Sequence, residues 1–293
     1  MLSRRNFLKM AGAATTLAVI PGCSDAAKKD DKKAMNDKTP VAGTGGDKYV
    51  PFDKRDGGTS IVYFTRDLSA TGLAKIFDKV KENLSGKVAV KLHTGEPGGP
   101  NIIPRPWVKN LLDTKLKDAT IVETNTYYGG GRDTTEKHRE TLKVNGWTFA
   151  PVDIMDADGA TLLPVPGGKW FKEMSVGKTL PNYDSFLALT HFKGHTMGGF
   201  GGSDKNIGIG CADGKEGKKW IHSRPGESQW SVDKEELMER MSECTRAVTS
   251  HFKDKTAFIN VMRNMSVDCD CAGTSAKTPT VPDVGILASL EPV

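Results

Sequence analysis

Short apolar runs alternate with stretches whose apolar residues recur every three or four positions, beginning at residue 60. Runs at 60–64, 87–92, 119–123, 186–190, 257–262 and 284–289 are rich in Val, Ile, Leu and Phe and predict strands. Between the first two, Leu73, Ile76, Phe77, Val80 and Leu84 share one helical face, so 69–84 predicts a helix that Gly86 ends. Residues 106–116 and 134–145 predict two more helices, the second stopped by Gly146. Residues 232–251 predict a long helix with Leu237, Met238, Met241, Ala247 and Val248 on one face. Val152 to Asp156, with the Gly, Pro and Lys residues that follow, predict a β-hairpin or an insertion. The alternation predicts an α/β fold, a mostly parallel sheet with helices on both faces and right-handed crossovers.

Polar residues cluster where the apolar runs end: His93 and Glu96, then Asn125, Tyr128 and Arg132, then His191 and His195. Parallel strands bring such ends to one edge, where open α/β sheets bind ligands. The stretch from His191 to His222 is the richest. It holds three of the six histidines, Lys193, Lys205, Cys211 and a glycine-rich run at 198–210. That run predicts a loop at the carboxyl edge of the strands. Its glycines let backbone N–H groups approach a ligand closely. Gly201, Gly202, Lys205 and Asn206 are the candidate cofactor contacts, and Lys205, Lys193 and His195 the candidate catalytic groups. The run is not a Walker loop, because no Gly-Lys-Ser/Thr follows at the required spacing. Gly194 and the glycines beyond it argue against a helix that would set His191 and His195 on one face.

The thiols and imidazoles raise a second chemistry. Cys269 and Cys271 form a Cys-x-Cys pair in a predicted loop, and two thiolates so close can both bind a soft metal or a cluster. The other readings of this pair are a reduced thiol pair or disulfides to Cys211 or Cys244. His191, His195, Cys211, His222, Cys269 and Cys271 are the candidate ligands of a transition metal or iron–sulfur centre. If they share one cavity, the Cys269 sulfur lies within about 10 Å of a His191 or His195 ring nitrogen. Cys244 falls near the apolar face of the long helix and reads as core.

The first sixty residues are of a different kind. Ser3-Arg4-Arg5-Asn6-Phe7-Leu8-Lys9 matches the twin-arginine export pattern, and the apolar region at 10–20 is too short to span a membrane. Residues 1–23 therefore read as a signal peptide. Cys23 ends it either as an acylated lipoprotein cysteine, which would anchor the protein to a membrane, or as an incidental residue near a plain cleavage site. Residues 24–57, rich in Lys, Asp, Gly, Ala and Thr, read as a disordered linker, with a single folded domain over 58–293. The expected location is periplasmic or otherwise extracytoplasmic, with the twin-arginine translocase as partner during export. The 293-residue chain has the composition of a soluble globular protein, 37% hydrophobic and 26% charged. Much of its net charge of +5 lies in the first sixty residues, so the body carries no nucleic-acid footprint. Five cysteines are too few and too clustered for a disulfide scaffold.

The runs Val90-Lys91-Leu92-His93-Thr94-Gly95-Glu96, Thr124-Asn125-Thr126-Tyr127-Tyr128-Gly129, His191-Phe192-Lys193-Gly194-His195, 199–211 and Asp268-Cys269-Asp270-Cys271 resemble those of the family catalogued as domain of unknown function 362. The resemblance covers nearly all of 60–293 and implies no defined activity. Many relatives carry ferredoxin-type Cys-x2-Cys-x2-Cys-x3-Cys insertions for 4Fe–4S clusters; this chain has none. Relatives also continue past the motif that Glu291-Pro292-Val293 resembles, which implies a chain truncated at its C-terminus. A weaker likeness joins His195, the 199–205 run with Lys205, and His222 to the nickel-pincer lactate racemases, in which that lysine carries the cofactor. Asp204 and Asn206 depart from that pattern.

Three functions follow as expectations: an extracytoplasmic metal- or iron–sulfur-associated protein with redox or related enzymatic chemistry, a non-catalytic binding protein for an anionic ligand, or a racemase-like enzyme.

Overall fold

The computed structural model describes residues 60–99, 101–268 and 279–291. Within them the chain runs β1 (Tyr63–Thr65), α1 (Ala70–Phe77), β2 (Val88–Lys91), α2 (Arg105–Lys115), β3 (Thr120–Glu123), α3 (Thr135–Val144), β4 (Val152–Ile154), β5 (Ala160–Pro164), β6 (Glu173–Gly177) and β7 (Ser185–His191). It continues through β8 (Lys193–His195), β9 (Gly199–Gly201), α4 (Ser203–Cys211), α5 (Gly217–His222), α6 (Lys234–Phe252), β10 (Thr256–Met262) and β11 (Gly285–Ser289).

Seven strands make the central sheet in the order β1-β11-β10-β7-β2-β3-β4. The five from β10 to β4 are parallel, and β11 runs antiparallel to both its neighbours. Their side chains alternate between two cores, as a period-2 strand requires. Val88, Val90, Ile121, Leu187, Leu189, Ile259 and Val261 face one, with Leu73, Leu111 and Leu142 of α1 to α3. Ala89, Val122, Phe186, Ala188 and Phe258 face the other, with Ile207, Ile221 and Met241 of α4 to α6. Both faces are thus covered by helices, as the pattern predicts.

Side-chain caps mark several helix starts. Ser69 Oγ accepts from the Gly72 amide at 3.1 Å, Thr134 Oγ1 from Lys137 at 3.3 Å and Asp233 Oδ1 from Glu236 at 2.9 Å. The first helix is shorter than its periodicity predicts. Lys79 and Val80 bond back to the carbonyls of Ile76 and Phe77, tightening the chain after Phe77, yet Val80 stays buried. The hairpin or insertion expected over 152–156 and the Gly, Pro and Lys residues after it divides in two. Val152–Ile154 adds to the main sheet as a parallel edge beside β3, and the hairpin is β5 with β6, immediately downstream.

The largest departure is the glycine-rich run. It does not form a loop. Residues 193–195 and 199–201 pair as a small antiparallel hairpin, and 203–211 is helical. Two of its glycines are demanded by close packing. A Cβ on Gly208 would sit 2.5 Å from the Met241 carbonyl oxygen of α6, and one on Gly210 would sit 2.1 Å from Lys91 Cε. At these two positions the helix is pressed between α6 and the end of β2 and admits no side chain.

Candidate functional site

The chain leaves β2 toward β3 and β4 on one side of the sheet, while β7 and β10 lie on the other. The gap between the carboxyl ends of β2 and β7 is therefore a topological switch point, the usual ligand position in such sheets. Lys91 is the last residue of β2 and is almost wholly buried. Its ammonium donates to Glu123 Oε2, Asn206 Oδ1 and the Leu92 carbonyl, each at 2.9 Å, which uses all three of its protons. Glu123 ends β3. It accepts from the Thr94 amide at 2.8 Å and faces His93 Nδ1 and Arg132 Nη1, each at 3.7 Å. Burial alone would raise this carboxyl, but the Lys91, His93 and Arg132 charges and bonds prevail and hold it well below the usual carboxylate range. Beside it, Arg132 clasps Glu96 Oε1 through Nη2 at 2.7 Å and Nε at 3.0 Å, and Tyr128 donates to the same oxygen at 2.8 Å. His93 Nε2 is buried without a hydrogen-bond partner among the described residues.

This ionic layer positions the groups nearest the edge. Asn206 answers Lys91 by donating to the Lys91 carbonyl at 3.2 Å and to Thr190 Oγ1 at 2.9 Å, so α4 is tied to both β2 and β7. Lys218 of α5 donates to Thr124 Oγ1 at 2.6 Å and to the Asn125 carbonyl, tying α5 to the end of β3. Burial lowers Lys218 to about 8 against the opposing pull of Asp156 and Glu123.

Several predicted site residues lie on these elements. His191 is the last residue of β7 and buried. Lys193 and His195 share one side of β8, and Lys193 pairs in register with Gly201 of β9. The stems of Lys193 and Lys205 both pass Gly201: a Cβ there would meet Lys193 Cγ and Lys205 Cδ, each at 3.7 Å. Gly202 caps α4 and gives it no side-chain bond, which leaves Lys205 in the first turn. His222 ends α5. Burial chiefly lowers it to about 4, and the charges of Lys205, Lys218 and His195 push the same way, so these groups share one electrostatic environment. His191, Lys193, His195, Lys205 and His222 are thus carried by the elements at the carboxyl edge.

The two edge histidines are fixed in opposite tautomers. His195 Nδ1 accepts from the amides of Met197 and Gly198, at 3.3 and 3.1 Å, so its ring proton sits on Nε2. His222 Nδ1 donates to the Lys218 carbonyl at 2.7 Å, so its Nε2 carries a lone pair. One ring presents a donor and the other an acceptor.

The thiols divide differently. Cys211 is no edge residue. It ends α4 inside the apolar cluster with Ile207, Met241 and Cys244, and burial pushes its thiol up to about 12, far from the thiolate that a metal needs. Cys244 is core as predicted. Cys269 and Cys271 lie outside the described residues, and so does the expected Cys269-to-histidine distance. Among the described residues, no three His, Cys, Asp or Glu side chains gather as a metal-holding group. The sequence pattern missed Lys91, Glu123 and Lys218. A usable signal existed for Lys91, a cation inside an apolar run, since buried lysines are rare unless paired.

Residues 88–293 match the family model described as "Domain of unknown function (DUF362)". Residues 1–21 match the twin-arginine translocation pathway signal sequence, which directs export from the cytoplasm through that translocase. No curated protein matches the chain. Among solved structures it is similar to the lactate racemase apoprotein from Thermoanaerobacterium thermosaccharolyticum, with 14% identity and a TM-score of 0.45 over 75% of this chain and 53% of that one. It is also similar to a protein from Thermotoga maritima, with 14% identity and a TM-score of 0.40 over 67% and 50%. The chain spans about half the length of each.

Proposed function

Since the chain belongs to the DUF362 family, whose description assigns no activity, we propose from the site alone that it is an exported protein that binds a small anionic molecule at the carboxyl edge of its sheet and moves a proton on it. Lys193 and Lys205 hold the anion. His195 Nε2–H donates a hydrogen bond to the reacting position, and His222 Nε2 is the proton acceptor. The observation that carries this reading is the pair of opposite tautomers beside two lysines whose stems flank Gly201. Ammonium groups attract a carboxylate or phosphate and repel a metal cation. With its pKa near 4, His222 stays neutral at neutral pH, so its Nε2 lone pair is unprotonated there. Lys91 of the buried layer holds α4 at the edge through Asn206, and Lys218 holds α5 there through Thr124 and Asn125.

Calorimetric titration with inorganic phosphate and acetate tests the reading. The wild type binds at least one of them, more weakly as salt is raised. Lys205→Ala weakens that binding at least tenfold. Unchanged affinity in Lys193→Ala and Lys205→Ala overturns the proposal.

One observation favours a metal as a second reading. The Thr196 amide, next in the chain to His195, donates to Asp268 Oδ1 at 3.1 Å, and Cys269 follows Asp268 in the sequence. Stoichiometric metal after anaerobic purification, lost in Cys269→Ser, would favour that reading over the anion site. A mass adduct on Lys205 would instead support the racemase-like alternative. For location, we propose the periplasm, with acylation of Cys23 as the anchor. Release of the mature protein in soluble form with an unmodified N-terminus would refute the anchor.

A further inference from the structure

Two large aromatic residues stand beside His222 and belong to neither core. Tyr127 follows β3 and Trp230 lies in the loop between α5 and α6; both are partly exposed, and neither is a member of the two apolar clusters. Their rings are nevertheless ordered about the imidazole. Tyr127 lies nearly parallel to His222, with centroids 6.2 Å apart and planes at 25°. Trp230 meets His222 edge-on at 4.7 Å and 76°, and Tyr127 at 5.6 Å and 56°.

Trp230 holds this position against a backbone cost. Its φ is +67°, in the left-handed region that bulky side chains avoid. The loop enforces that conformation: the Trp230 amide donates to Ser223 Oγ at 3.3 Å and the Arg224 amide to Ser231 Oγ at 2.8 Å. Arg224 is itself pinned to Glu236 of α6. Glycine at 230 would relieve the strain, and a polar residue would suit the exposure. A strained, partly exposed indole that belongs to neither apolar core points to contact with something outside the chain.

We propose that Tyr127 and Trp230 form an aromatic wall, and that the anion bound at the edge carries a planar aromatic or heteroaromatic ring which lies against it. The inference rests on the anion reading above and narrows its ligand class. Lys193 and Lys205 take the charged group, His195 and His222 flank the reacting position, and the wall selects the ring. Ring-on-ring contact of this kind favours an aromatic ligand about tenfold over one without a ring.

The test titrates the mature protein with two matched series: inorganic phosphate, butyl phosphate and phenyl phosphate, then acetate and benzoate. The expected result is a preference of about tenfold for phenyl phosphate over the other phosphates, or for benzoate over acetate. Trp230→Gly, which accepts φ +67° but loses the indole's contacts with His222 and Tyr127, brings that ratio close to one, with a cooperative thermal melt showing that it folds. Binding of the simple anions without preference for the ring overturns the wall and leaves the anion site standing. A preference that survives in Trp230→Gly also overturns it. Binding of none of the five overturns both readings.

Discussion

Glu123→Gln tests the buried ionic layer directly. The substitution keeps the shape of the side chain and removes its charge. The glutamine carbonyl can still accept from the Thr94 amide, but its NH2 group then faces the Lys91 ammonium, donor against donor, where the carboxylate oxygen lay 2.9 Å away. Lys91 is left charged, buried and without its counter-ion. Breaking a buried pair from one side costs about 3–5 kcal/mol. For a domain of this size that lowers the melting temperature by about 6–20 °C. Lys91→Met combined with Glu123→Gln removes both charges and should recover at least half of the loss. The acid limb supplies an independent readout. Glu123 is held below its unfolded value, so its stabilisation is complete above the unfolded carboxylate range and is lost as pH falls through the folded value. Glu123→Gln should therefore flatten the loss of stability in acid. Thermal and urea melts between pH 3 and 8 measure both effects. A loss below about 1 kcal/mol, with the acid limb unchanged, would refute the view that this pair anchors the switch point.

Replacing Arg4 and Arg5 with Lys should retain the protein in the cytoplasm, as fractionation and immunoblotting will report, because the export receptor reads the guanidinium pair. Cys211 and Cys244 should resist thiol reagents at pH 8 in the native state and react only on unfolding; rapid native labelling of either would contradict their place in the core. Lys218 is lowered to about 8, so its charge opposes folding at neutral pH and that penalty fades as pH rises from 8 toward its unfolded value. Lys218→Met should remove this alkaline gain in melts taken between pH 7 and 10.

Local pattern carried much of the fold. The strands at 88–91, 120–123, 185–191 and 256–262 and the helices at 105–115, 135–144 and 234–252 lie within a few residues of their apolar runs, because each buries a face whose spacing is written in neighbouring positions. The export signal is equally local, since a receptor reads it as sequence. The sequence also grouped His191, Lys193, His195, Lys205 and His222, because they sit close together along the chain. Strand order, the antiparallel turn of β11 and the insertion of β4 at the sheet edge were decided only in three dimensions, where pairing depends on residues far apart. The glycine run was misleading for the same reason. Glycine reads locally as a loop residue, whereas Gly208 and Gly210 let the helix at 203–211 pack closely against Met241 and Lys91. The ionic layer is the clearest case. Lys91, Glu123, Arg132 and Asn206 are spread over more than a hundred positions, and burial makes their charges interact strongly only once the sheet has brought them within bonding distance.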